Sequence, residues 1–167
     1  MASTTYKGLG VIQASDFKDV VYEGITKEGK AIKITLKNAI NKGDIDWAFA
    51  EKDETVASVT FEGCYENTDS MSQTTEEPWT IQMEGSTNAA GCIILGVGKF
   101  SVGGEEIALT RGGGSFNTGR TVRDVAADMD RGTVVDRVVI DEARPTLTLN
   151  ALTIINHFTS LYAGVGV

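Results

Sequence analysis

The chain has 167 residues, 41% of them hydrophobic, which is too much apolar material for a disordered chain and enough for the core of one ordinary domain. It carries 15 basic and 23 acidic residues, a net charge of −8, and so offers little to the phosphates of nucleic acid. No apolar run approaches the roughly 20 residues of a membrane helix, and the N-terminus shows no basic segment leading into an apolar one, so neither a membrane span nor a secretory signal is expected. Frequent Thr, Val and Ile lean toward strands.

From the N-terminus, Val20, Val21, Tyr22 and Ile25 form a first candidate strand, and Glu28-Gly29 marks a hairpin turn. Lys30 to Ile40 follows, with Ile32, Ile34 and Leu36 alternating with Lys33, Thr35 and Lys37, the period of a half-buried strand. Asp46 to Ala50 predicts a short strand. Thr55 to Tyr65 alternates again, with Val59, Phe61 and Gly63 on one face and Ser58, Thr60 and Glu62 on the other. Asn67 to Glu77 is polar and acidic, and is expected to be the most mobile internal loop.

Trp79 to Met83 is the next strand. Glu84 to Ala90 is small and featureless, the composition of a linker. Cys92 to Phe100 is an apolar strand, Gly103-Gly104 a turn, and Glu106 to Thr110 a strand that Arg111-Gly112-Gly113-Gly114 is expected to break. Ser115 to Ala126 reads as extended, with helix as the alternative over Val122 to Asp130. Val134 to Ile140 is a β-branched strand, and Pro145 restarts one through Thr146 to Leu149. The chain ends on its strongest helix pattern: Leu152, Ile155, Phe158, Leu161 and Tyr162 fall at helical spacing, and Ala163-Gly164 gives a stop. Roughly nine or ten strands with one helix make a mainly β domain, a β-sandwich or flattened barrel with one flanking helix.

The chemical motifs are conspicuous by failing. Gly96-Val97-Gly98-Lys99 ends like a phosphate-binding loop, but Ile93 stands where its first glycine belongs and Phe100 where its Ser or Thr belongs. Gly112-Gly113-Gly114-Ser115 reads as a turn, with no helix after it to bind an anion. No G-x-S-x-G elbow exists. Asp16, Asp19, Asp44 and Asp46 lack the spacing of a calcium loop, and Asp136 with Asp141-Glu142 is a carboxylate group of the kind any acidic β protein offers. His157, the single histidine, is read as structural rather than a catalytic base. Cys64 and Cys92 are read as small buried hydrophobes, without metal-ligand spacing. No catalytic, cofactor-binding or metal-binding residue, and no cofactor, is therefore expected.

Charge is unevenly placed. Asp53, Glu54, Glu62, Glu66, Asp69, Glu76, Glu77 and Glu84 occur with no Lys or Arg between Asp53 and Lys99, so these eight acids equal the whole net charge. This predicts a strongly acidic face that repels DNA.

Two stretches carry a family pattern. The first comprises Gly29 to Ile40 (G-K-A-I-K-I-T-L-K-N-A-I), Gly43 to Phe49 (G-D-I-D-W-A-F), Asp53-Glu54-Thr55 and Val59 to Tyr65 (V-T-F-E-G-C-Y). It resembles the C-terminal half of the tail tube (major tail) proteins of long, non-contractile-tailed bacteriophages. The second comprises Leu109 to Phe116 (L-T-R-G-G-G-S-F), Asp128 to Gly132 and Arg144 to Leu149 (R-P-T-L-T-L), and is similar to the N-terminal half of the same proteins. The order is exchanged: residues 5–84 resemble the C-terminal half and 91–167 the N-terminal half of one domain, with 84–90 as the join. That is the order of a circular permutation, natural or engineered.

The resemblance implies a structural virion protein without an active site. It implies a subunit whose partners are copies of itself in stacked, typically hexameric rings. DNA would pass through the acidic lumen without specific binding. It places the protein in the virion tail, made in the cytoplasm of a bacterial host and away from membranes. A second reading from another class, a monomeric β-sandwich binding module such as a capsid decoration or adhesion domain, fits the same β-richness and acidity. Rings or tubes under the electron microscope separate the two.

Overall fold

The strands in chain order are β1 (Lys7–Gly8), β2 (Lys18–Thr26), β3 (Ala31–Asn41), β4 (Asp46–Trp47), β5 (Ala57–Glu62), β6 (Trp79–Met83), β7 (Ile94–Val102), β8 (Glu105–Ile107), β9 (Thr110–Asn117), β10 (Arg120–Asp124), β11 (Val138–Ala143), β12 (Thr146–Ala151) and β13 (Val165–Gly166). A short helix, α1 (Phe158–Leu161), precedes the last of them. The computed structural model describes residues 3–47, 49, 51–66, 75–85, 88–107, 110–152 and 157–166. The fold is mainly β, a nearly closed barrel-like sheet with, among the described residues, a single short α-helix.

Every pairing is antiparallel. One wall runs β8-β7-β2-β3-β6 and the other β9-β12-β5-β4. β3 belongs to both. Its first part lies between β2 and β6, and its end, at Ile40 and Asn41, pairs with Glu62 and Phe61 of β5. The change of wall needs a corner, and the sequence supplies two devices. β2 has a bulge between Lys18 and Val20, and Asn38 takes a positive φ of 48° that Asn tolerates better than most residues. The Asn38 amide donates to Asp19 Oδ1 at 3.0 Å, which pins bulge to corner.

Alternation sets the core. In β5, Ala57, Val59 and Phe61 point inward and are at most 2% exposed, while Ser58 and Thr60 point out. Gly63 continues the inner face as expected. Leu147, Leu149 and Ala151 of β12 lie opposite them in register and are equally buried. Val20, Leu36, Phe100, Val102 and Ile107 close the core from the other wall. Each such Leu, Val or Phe contributes about 1.5–3 kcal/mol by leaving water.

Several expectations are corrected. The glycines at 112–114 do not break a strand: β9 runs through them and pairs with β12. A β-carbon at Gly114 would collide with the Thr148 carbonyl and stand 2.8 Å from the Phe100 ring, so glycine there lets the two walls approach. Gly113, at φ +72°, sits where the β9–β12 register shifts, which is the work of a bulge. The extended stretch from Ser115 to Ala126 is divided at Gly119 (φ +58°), and no helix forms over Val122 to Asp130, whose first residues are in β10. The strand expected at Val134 to Ile140 begins four residues later, because Val134 to Arg137 turn around Asp136 at φ 66°.

Of the expected C-terminal helix, the described residues include α1 over Phe158–Leu161, while period-two burial of Leu147, Leu149 and Ala151 carries β12 through Ala151. Residues 153–156, with Ile155 of the stripe, lie outside the described residues. Leu161 is fully buried, and Phe158 packs against Tyr6, Trp47 and Tyr162 at 5.5–5.9 Å between ring centres. The helix ends at Leu161, Tyr162 being already extended, and Gly164 takes φ +71° in the turn beyond it.

Smaller differences follow local chemistry. β7 starts at Ile94 because Ala89–Cys92 forms a 3-10 turn, capped by Asn88 Oδ1 accepting from the Gly91 amide at 2.8 Å. The strand expected at Glu106 to Thr110 is β8, with Ala108 and Leu109 outside the described residues and Thr110 already in β9. The strand expected at Asp46 to Ala50 is β4 over Asp46–Trp47, with Phe49 not in it; Ala48 and Ala50, and residues 67–74 of the expected mobile loop, also lie outside the described residues. The two ends of the chain meet: Lys7 pairs with Gly166 and Gly8 with Val165.

Candidate interaction surface

Two strands stand apart from the barrel. Among the described residues β10 and β11 pair only with each other, Arg120 facing Ala143 and Asp124 facing Val138, so that residues 120–143 form a hairpin arm. Every residue of β10 is exposed. The arm leaves the body at Gly119, whose amide donates to Asn117 Oδ1 at 2.8 Å and whose carbonyl accepts from the Arg144 amide at 3.1 Å.

Several polar groups of the arm pair within it. Arg123 Nε donates to Asp141 Oδ1 at 3.0 Å, and Arg137 Nη2 to Asp130 Oδ1 at 2.7 Å. The Thr133 hydroxyl donates to Asp124 at 2.8 Å. The Ala127 amide, and then the Arg137 guanidinium, hold the Asp130 carboxyl below its ordinary range. Among its exposed charges the arm also leaves large apolar side chains outside. Met129 is 96% exposed, Val135 84% and Val122 55%, with Val125, Val134, Val138 and Ile140 also exposed. A lone two-stranded ribbon with apolar flanks is marginal in water, and such a patch marks a contact surface.

The acidic stretch is less uniform than its sequence predicts. Arg111 bridges Asp53 at 3.1 Å and Glu54 at 2.8 Å, Lys42 meets Glu62 at 2.8 Å, and Arg120 meets Glu77 at 2.7 Å. Cations from elsewhere in the chain thus reach half of the eight acids. Glu66, Glu76 and Glu84 are exposed, and Asp69 lies outside the described residues. Glu77 is not part of a loose acidic loop, because its side chain is only 11% exposed.

The other singled-out residues are scattered. His157 Nδ1 lies 3.0 Å from Glu105 Oε1, and the Ser160 hydroxyl donates to Glu105 Oε2 at 2.9 Å, which ties α1 to β8. Cys64 and Cys92 are free thiols in different segments, and burial pushes the Cys64 thiol above its ordinary value. Gly96 to Lys99 lie within β7, where Lys99 bridges Glu23 and Glu106 across the outer face. Asp16 accepts from the Gln13 and Gly164 amides, and Asp19 holds the corner at Asn38. Asp141 and Glu142 serve Arg123 and Arg144. Among the described residues no cluster of three His, Cys, Asp or Glu is placed to hold a metal, and no helix is long and apolar enough to cross a membrane.

Sequence reasoning missed the arm. It read Val134 to Ile140 as a β-branched strand and Ser115 to Ala126 as extended, with helix as the alternative over Val122 to Asp130, without pairing the two. The available signal was the opposed charge across two short runs, Arg120 and Arg123 on one and Asp141 and Glu142 on the other, with valines on both faces of each. Compared with protein-family models, with curated proteins and with solved structures, the chain matches none.

Proposed function

We propose that this chain is a self-assembling structural subunit of the phage tail tube type, whose partners are copies of itself in stacked rings around a DNA channel. The observation that carries the reading is the arm. Met129, Val135 and Val122 face solvent beside charges that pair within the hairpin, Arg123 with Asp141 and Arg137 with Asp130, so a single subunit leaves its apolar flanks unburied. An apolar element on one face that fits a different face of the next copy makes head-to-tail contacts, which close into rings or continue as fibres. The mainly β barrel with one short helix agrees with the family the sequence resembles. The exchanged order of the two halves agrees with the paired ends of the chain, which meet at β1 and β13. The exposed Glu66, Glu76 and Glu84 agree with a channel that repels phosphate.

A second reading has one observation in its favour. An apolar cleft of about 360 Å³ lies between the walls, lined by Tyr22, Phe100 and Phe116 over glycines, and would suit a monomeric binding module. Sedimentation and electron microscopy of the concentrated protein, with and without Met129→Asp and Val135→Asp, separate the two. The tail tube reading expects assemblies that the arm substitutions abolish. Single subunits at every concentration would overturn it.

A further inference from the structure

A hairpin that projects from a barrel needs something to hold its direction. At the root of the arm, Gly119 has φ +58°, and a β-carbon there would collide with the Arg144 carbonyl. The joint therefore carries no side chain to wedge it. On one side a cleft of about 410 Å³ separates Ile140 to Ala143 of the arm from Glu62 to Tyr65 of the body. Among the described residues, apart from Glu142 with its near neighbour Arg144 at the joint itself, one ion pair crosses from arm to body: Arg120 Nε donates to Glu77 Oε1 at 2.7 Å. The second oxygen of the same carboxylate accepts from Trp79 Nε1 at 2.6 Å. Trp79 belongs to β6 and packs on Phe116 of the opposite wall, 5.7 Å between ring centres. One nearly buried carboxylate thus has one oxygen on the arm and the other on the barrel.

We propose that Glu77 is the latch that fixes the direction of the β10–β11 arm, holding Arg120 to the barrel through Trp79. The proposal rests on the reading of the arm as the contact between copies. With the latch closed the arm is ordered before association, so less conformational freedom is lost on binding. With it open the arm swivels at Gly119, and assembly weakens although every apolar contact residue is still present. The readiness of a subunit to assemble is then set at the arm's root rather than on its flanks. Burial raises the Glu77 carboxyl, but hydrogen bonds from Arg120 and Trp79 and the Arg120 charge outweigh it and hold the group ionised.

The test compares the full chain with Glu77→Gln, Arg120→Gln, and Met129→Ser combined with Val135→Ser. Hydrogen exchange is read in dilute subunit, and assembly by sedimentation at high concentration. In both latch variants the Arg144 amide, which bonds Gly119 at the root, should exchange about tenfold faster, the factor that 1.4 kcal/mol supplies. The Val125 amide, bonded to Arg137 within the arm, should exchange as in the parent. Unchanged exchange at Arg144 in both variants would overturn the latch. If Met129→Ser with Val135→Ser assembles like the parent while Arg144 is still loosened by the latch variants, the assembly reading falls and the latch stands. Should Glu77→Gln fail to fold, Arg120→Gln, an exposed replacement, carries the test alone.

Discussion

At the residue scale the glycines teach most. From sequence, three in a row at 112–114 punctuate the chain, because glycine's freedom is visible there and its neighbours are not. In the fold Gly114 is a contact residue whose missing side chain admits Phe100 and the Thr148 carbonyl. Gly114→Ala should destabilise the domain by about 1–3 kcal/mol, the usual penalty of overpacking, and more if the walls cannot part. Gly85→Ala, where nothing stands within 4 Å, should be near neutral. Urea unfolding of both decides it, and equal midpoints would contradict the account. Glu77 makes the second residue-scale prediction. Its folded pKa is depressed, so its contribution is complete above the ordinary carboxylate range and is lost as pH falls through the lowered value. Arg120 stays charged throughout, and Tyr65, whose own pKa is raised, stays neutral. The arm's root should therefore loosen on acidification in the parent and not in Glu77→Gln, as read by the protection factor of the Arg144 amide, its exchange rate relative to the intrinsic rate at each pH.

At the element scale, strands were legible where one face is buried and not where none is. Ile32, Ile34 and Leu36, and Val59 with Phe61, alternate because one side of each strand meets the core. Burial there enforces the pattern. β10 is exposed throughout and β11 buries only Ala143, at its root, so no period marks them, and the valines of 134–140 suggested a strand that in the fold begins four residues later. At the C-terminus both periods meet the core. Leu147 and Leu149 reach it as the expected strand, which runs on to Ala151, and Leu161 reaches it from α1, with Phe158 packed against it. Replacing Leu161 with Ala should cost about 2–5 kcal/mol despite the shortness of α1, because the side chain is fully buried. Thermal unfolding reads this, and a loss under half a kilocalorie would show that α1 is not part of the core.

At the scale of the whole molecule, charge was read correctly in amount and too simply in place. The acids between Asp53 and Glu84 look unopposed in sequence, but strand pairing brings Lys42, Arg111 and Arg120 to four of them. The paired ends make a further expectation concrete. Since Lys7 lies opposite Gly166 and Gly8 opposite Val165, a short link between the termini, with a new opening in 84–90, should give a folded chain of similar denaturation midpoint. The 84–90 segment is exposed at Glu84, Gly85 and Asn88 to Ala90, so opening it removes little packing, though Asn88 also caps the turn that follows. The central claim is assembly through the arm, and negative-stain electron microscopy of the concentrated chain tests it most directly. The account predicts annular or tubular particles that vanish when Met129 and Val135 become Asp. A field of single-subunit particles, the same with and without those substitutions, would contradict it.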